Sequence, residues 1–80
     1  MPVSATSLME RIARVLAGQN YSSNAAGEEA SAAEDVDMNW EDFLPNADAV
    51  LRTMREPDAA MAEGGDPEIW KRMVDLALEQ

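Results

Sequence analysis

The strongest constraint on this chain is its punctuation between residues 45 and 67. Pro45, Pro57, the pair Gly64-Gly65 and the Asp66-Pro67 step fall within 23 residues. Proline lacks the N–H that a helix interior needs and disfavours helix at the residue before it. Pro45 therefore places the start of a helix near itself, with room for a short turn over Asn39 to Leu44. Glu56-Pro57 ends that helix. Pro57 then opens a further turn, Pro57 to Glu63, and Gly64 and Gly65 stop it. Asp66-Pro67-Glu68 is a start signal: a capping carboxylate, proline at the first position, an acid in the first turn. The last helix runs from Pro67 to about Glu79. Three short helices result, where an unbroken apolar pattern would have given one long one.

Their apolar faces follow the helical period. Trp40, Phe43, Leu44, Ala47, Val50, Leu51 and Met54 form one stripe; Ile69, Trp70, Met73, Val74, Ala77 and Leu78 form another. Near the N-terminus, Ser7 and Glu10 make a capping box. Leu8, Ile12, Val15 and Leu16 follow on one face, and Gly18 reads as the stop. Helix 1 is predicted over residues 7–17. Between the two regions, residues 18–38 hold no periodic large apolar residue. Such a stretch buries too little to offset its ordering entropy, so a flexible acidic linker is predicted there, with Tyr21 docking back on the core. The strand-forming β-branched and aromatic runs are absent. The expected fold is all-α: a small bundle of about four short helices, with the compact core in residues 39–80 of a single domain.

Composition narrows function. Eighty residues make at most one small, marginally stable domain. Alanine supplies 14 of the 37 apolar residues, so the larger side chains carry most of the expected burial. There is no cysteine and no histidine. That removes disulfides, thiolate chemistry and the commonest general base and zinc ligand. The longest apolar run, Ala59 to Ala62, is far short of the ~20 residues that span a bilayer. No basic residue precedes an apolar stretch at the N-terminus, so no signal peptide is expected and the cytoplasm is the expected location. The net charge is −10. Seven acids and no Lys or Arg lie in residues 28–42. Such a chain is repelled by nucleic-acid backbones and anionic lipid, so neither direct nucleic-acid binding nor membrane binding is expected.

Candidate sites are few. Asp35, Asp37, Asn39 and Glu41 resemble the first half of a calcium loop. Trp40 stands where that loop needs glycine, and Asn46 where it needs a final glutamate. No metal, cofactor or catalytic residue is therefore expected, and the chain reads as non-enzymatic. The tryptophans read first as core and second as partner anchors. Arg52, Arg55, Lys71 and Arg72 are the basic cluster of the C-terminal half, expected to pair with Asp48, Glu56, Glu68 and Asp75. The leading expectation is a helical protein–protein interaction module, binding a protein partner or itself through Trp40, Trp70, Met73, Arg52 and Arg55. The alternative is an acidic regulator that mimics nucleic acid with residues 28–42.

The pattern Ala47-x-x-x-Leu51-x-x-Met54-Arg55-Glu56-Pro57-x-x-Ala60-Met61-x-x-Gly64, followed by Ile69-Trp70-x-x-Met73-Val74-x-x-Ala77-Leu78, resembles a group of small, uncharacterised helical proteins of alphaproteobacteria and their phages. The likeness covers residues 40–78. It implies a shared compact C-terminal unit and a bacterial source, and carries no activity.

Overall fold

The computed structural model describes residues 3–24 and 29–80. The described residues are helical with no strand: α1 Leu8–Asn24, α2 Glu29–Asn39, a 3₁₀ turn Trp40–Phe43, α3 Leu44–Met54, α4 Ala59–Gly64 and α5 Pro67–Leu78. The expected all-α bundle is what forms.

Local chemistry sets most boundaries. The Ser7 hydroxyl accepts from the Glu10 N–H at 3.1 Å and opens α1. The Glu10 carboxylate does not complete the capping box; it turns to Arg14 instead. Pro45 sits in the first turn of α3, where a missing N–H costs nothing. Asp58, not Pro57, caps α4: its carboxylate accepts from the Met61 N–H at 2.9 Å. An aspartate satisfies a free N–H at that position, which proline cannot do. Asp66 caps α5 through the Glu68 N–H, with Pro67 at the first position.

The region 18–38 departs from expectation. Helix 1 does not stop at Ala17 but continues through Gly18 to Asn24, and residues 29–39 form α2. Ala25 to Glu28, in the middle of the predicted linker, lie outside the described residues. The physical reason is close packing. A β-carbon on Gly18 would stand 3.8 Å from Val36 Cγ2, so α2 runs directly over α1 at that point. Small residues let two helices approach without large apolar side chains between them. Tyr21 does dock back, edge-on to Phe43 with ring centroids 6.0 Å apart.

The core is likewise built on alanine. Its buried members are Met9, Ala13, Ala17, Ala47, Leu51, Val74 and Ala77. Met9, Ala13 and Ala17 are spaced by four along one face of α1; Met9 and Ala13 pack with Ala47 and Leu51 of α3 and Val74 and Ala77 of α5. Val15, expected on that face, is 60% exposed. Leu51 is the largest fully buried side chain. Leu8, Ile12, Trp40, Phe43, Leu44, Trp70 and Leu78 pack around this centre as partly buried residues. Both tryptophans are thus flanks of the core rather than its middle. The molecule is long, 42 × 26 × 23 Å, with a radius of gyration of 14.9 Å. A compact chain of this length has about 12 Å. The accessible surface, 5885 Å², also exceeds the ~4,700 Å² typical of this mass. More surface than usual is left uncovered, and Ile69, Met73 and Leu76 are among the large apolar side chains exposed on it.

Candidate functional site: an apolar face around Trp70

The uncovered surface concentrates on one side of α5. The apolar residues of α5 span just over half of the helix circumference. Val74, Ala77, Trp70 and Leu78 occupy the part that faces α1 and α3. Ile69, Met73 and Leu76 extend the same arc past the edge of the core and are 51%, 61% and 57% exposed. Met61 of α4 and Met54 at the end of α3 border it and are exposed as well.

Trp70 anchors this face. Its indole N–H donates to the Met54 carbonyl at 2.7 Å. Met54 is the last residue of α3, so the bond satisfies a carbonyl that the helix itself leaves free. The polar end of the indole is fixed, and its ring lies between two grooves. The first, about 430 Å³, lies between α4 and α5 and is lined by Pro57, Met61, Gly64, Ile69 and Met73 with Trp70. The second, about 580 Å³, runs between the N-terminal arm Val3–Leu8 and α5 and also reaches Trp70 and Met73. Asp66 is the charged residue lining the first groove and Arg11 the one lining the second.

Arg55 borders this face and holds α3 to α5. Its Nε donates to Asp75 Oδ1 at 2.6 Å and its Nη2 to Oδ2 at 3.3 Å, a two-point contact between planar groups. The hydrogen bond holds the Asp75 carboxyl below its usual range and raises the Arg55 guanidinium further above its own. Both side chains are about half exposed, so the pair orients more than it stabilises. Arg52 bonds Asp48 on its own helix at 2.5 Å. The Arg52–Asp48 pair, four residues apart on one helix, matches expectation. Asp75 takes Arg55 of α3 rather than Lys71 of its own helix, and Glu68 and Arg72 form no ion pair with each other.

Trp40 belongs elsewhere. It precedes α3, whereas Trp70 bonds its last residue; eleven helical residues, roughly 16 Å, separate the two levels. The Arg14 guanidinium lies 5.2 Å from the Trp40 ring centroid. Arg14 also bonds Glu10 at 2.8 Å and Asp37 at 2.9 Å. Those two hydrogen bonds, Glu10 first, raise its already high pKa. One cation therefore ties α1, α2 and the 3₁₀ turn together. Of the expected surface residues, Trp70 and Met73 meet, Arg55 borders them, and Trp40 and Arg52 lie apart.

Asp35, Asp37 and Asn39 fall on α2, where alternate residues point to opposite sides. Asp37 faces Arg14, while the Asn39 amide turns back to the Asp35 carbonyl at 3.1 Å. Among the described residues, no three acidic side chains converge and no polar or charged residue is buried. No described helix is long and apolar enough to cross a membrane. Comparison with models of known protein families, with curated proteins and with solved structures finds no match to this chain.

Proposed function

We propose that this chain is a non-enzymatic helical module that binds another protein through the face built on Trp70, Ile69, Met73, Leu76 and Met61. The observation behind it is the apolar arc of α5 that continues, uncovered, beyond the core. Contiguous exposed apolar surface on a small acidic domain marks an interaction site more often than chance. A tryptophan with its N–H already bonded and its ring beside a groove is the kind of side chain that dominates binding energy. Arg55 serves this face indirectly, by fixing α5 against α3.

Affinity capture with the intact chain and with an Ile69→Ser/Met73→Ser variant tests the proposal. Both positions are exposed, so the variant keeps its fold, which circular dichroism verifies. A protein retained by the native chain and lost by the variant is the expected result. Identical retention by both baits, or none by either, contradicts it.

A further inference from the structure

The chemistry of the partner can be read from the charge around the first groove. Residues 56–68 contain Glu56, Asp58, Glu63, Asp66 and Glu68, and no Lys or Arg. Each is exposed, and each lines the groove or is next in sequence to a residue that does. Asp58 and Asp66 each accept a backbone N–H bond. Asp66 thus lines the apolar groove itself, and the chain segment that forms much of its wall, residues 56–68, carries four further exposed carboxylates. The nearby cations are fewer. Lys71 and Arg72 follow Trp70 on α5 and are next in sequence to lining residues, Arg11 lines the second groove, and Arg55 is paired to Asp75.

The lining matters too. Met61 and Met73 stand on opposite sides of the groove, and Met54 is close by. Methionine side chains are unbranched and polarisable, and they adapt to differing apolar shapes. A Met-rich apolar floor with an acidic border suits a helix that carries leucine-like side chains on one face and lysine or arginine on the other. A second copy of this chain fits poorly. Its net charge is −10, and a symmetric contact would set the acidic segment 56–68 against its own copy.

Taking the interaction-module reading as its basis, we propose that the α4–α5 groove docks a cationic amphipathic helix of a partner protein. The apolar side chains of that helix seat against Met61, Ile69, Trp70 and Met73. Its basic side chains face the carboxylates along residues 56–68. The border speeds encounter and selects the sign of the partner's charge, and the groove supplies the burial.

The test uses the full chain and two labelled peptides of about 18 residues, long enough for five helical turns. One is a Leu/Lys amphipathic helix; the other places Leu identically and replaces Lys by Glu. Fluorescence anisotropy at physiological salt reads binding, and the Trp70 indole N–H signal in a nitrogen–proton spectrum reports its place. The Leu/Lys peptide is expected to bind and to shift the Trp70 signal while leaving Trp40 unmoved. The Leu/Glu peptide is expected to bind at least about tenfold more weakly. Ile69→Ser/Met73→Ser, which leaves net charge unchanged, is expected to weaken the Leu/Lys peptide about tenfold or more. Glu63→Gln/Glu68→Gln weakens it several-fold and flattens its salt dependence.

Equal binding of both peptides overturns the charge assignment and leaves the interaction-module reading standing. Leu/Lys binding that ignores the groove variants places the peptide on the acidic α2 side and overturns the proposal. Light scattering that shows a dimer, made monomeric by Ile69→Ser/Met73→Ser, assigns the face to self-association and overturns it as well. Failure of both peptides, with native capture intact, overturns only the present inference. Failure of peptides and capture together overturns both.

Discussion

Replacing Gly18 by alanine separates two accounts of the N-terminal half with opposite signs. If Gly18 ended helix 1 in a left-handed conformation, a β-carbon there would be strained and the change would destabilise the chain. In the structure, Gly18 is interior to α1, with six residues of helix beyond it. Its backbone does not lie in the left-handed region, and an added β-carbon would meet Val36 Cγ2 at 3.8 Å, an ordinary contact. The substitution therefore adds helix propensity without crowding. Glycine in a helix interior costs about 0.5–1 kcal/mol relative to alanine. For a domain of this size, 1 kcal/mol moves the melting temperature by about 4–8 °C. Gly18→Ala should raise Tm by roughly 2–8 °C in a thermal melt followed at 222 nm. The gain should persist in urea unfolding with an unchanged denaturant slope. A fall in Tm would refute both the extended α1 and its contact with α2.

Other outcomes follow from the core and the caps. Leu51→Ala removes the largest fully buried side chain and should cost about 2–5 kcal/mol, a large part of the stability of an 80-residue domain; chemical denaturation measures it. Ala47→Leu should cost about 1–3 kcal/mol in the same assay, because the helices meet at that position with no room for a larger side chain. Asp66→Ala removes the cap of α5 and should cost about 0.5–2 kcal/mol, whereas Asp66→Asn should cost little. The Arg55–Asp75 pair sets a pH dependence. Asp75 keeps its charge to lower pH when folded than when unfolded. Its contribution is therefore complete above the ordinary carboxylate value of about 3.9 and fades as pH falls through the depressed one. The stability difference between the native chain and Asp75→Asn, measured from pH 7 to pH 2, should shrink only in that lowest window.

How much of this was legible follows from what each signal depends on. The C-terminal helices are written in backbone chemistry. Pro45, Gly64, Asp66 and Pro67 act locally, and α3 and α5 begin and α4 ends where those residues dictate. The N-terminal half depends on tertiary contact instead. Gly18 and Ala17 look like a helix stop followed by a loop, yet small residues there let Val36 and Tyr21 pack inward. Nothing in a single helix period announces such a contact. The same discounting of alanine hid the buried Ala13 and Ala17 of α1 and overrated the tryptophans. The site was half legible. Trp70 and Met73 carry the right residue types at the right spacing. Ile69 and Leu76 look like core until one asks how wide an apolar arc three short helices can cover. Seven apolar residues in twelve on α5 exceed it, and that surplus was available in the sequence. Trp40 was misplaced because its role is set by Arg14, a residue distant in sequence.

Methionine oxidation footprinting by mass spectrometry tests the central claim, that the Trp70 face stands open while α1 closes the core. Met73 and Met61 are 61% and 44% exposed, Met38 on α2 is 80% exposed, and Met9 on α1 is 7% exposed. Under brief peroxide treatment of the native chain, Met73 and Met61 should oxidise on the timescale of Met38, with Met9 lagging far behind. Protection of Met73 and Met61 while Met38 reacts, or oxidation of Met9 as fast as the rest, would contradict it.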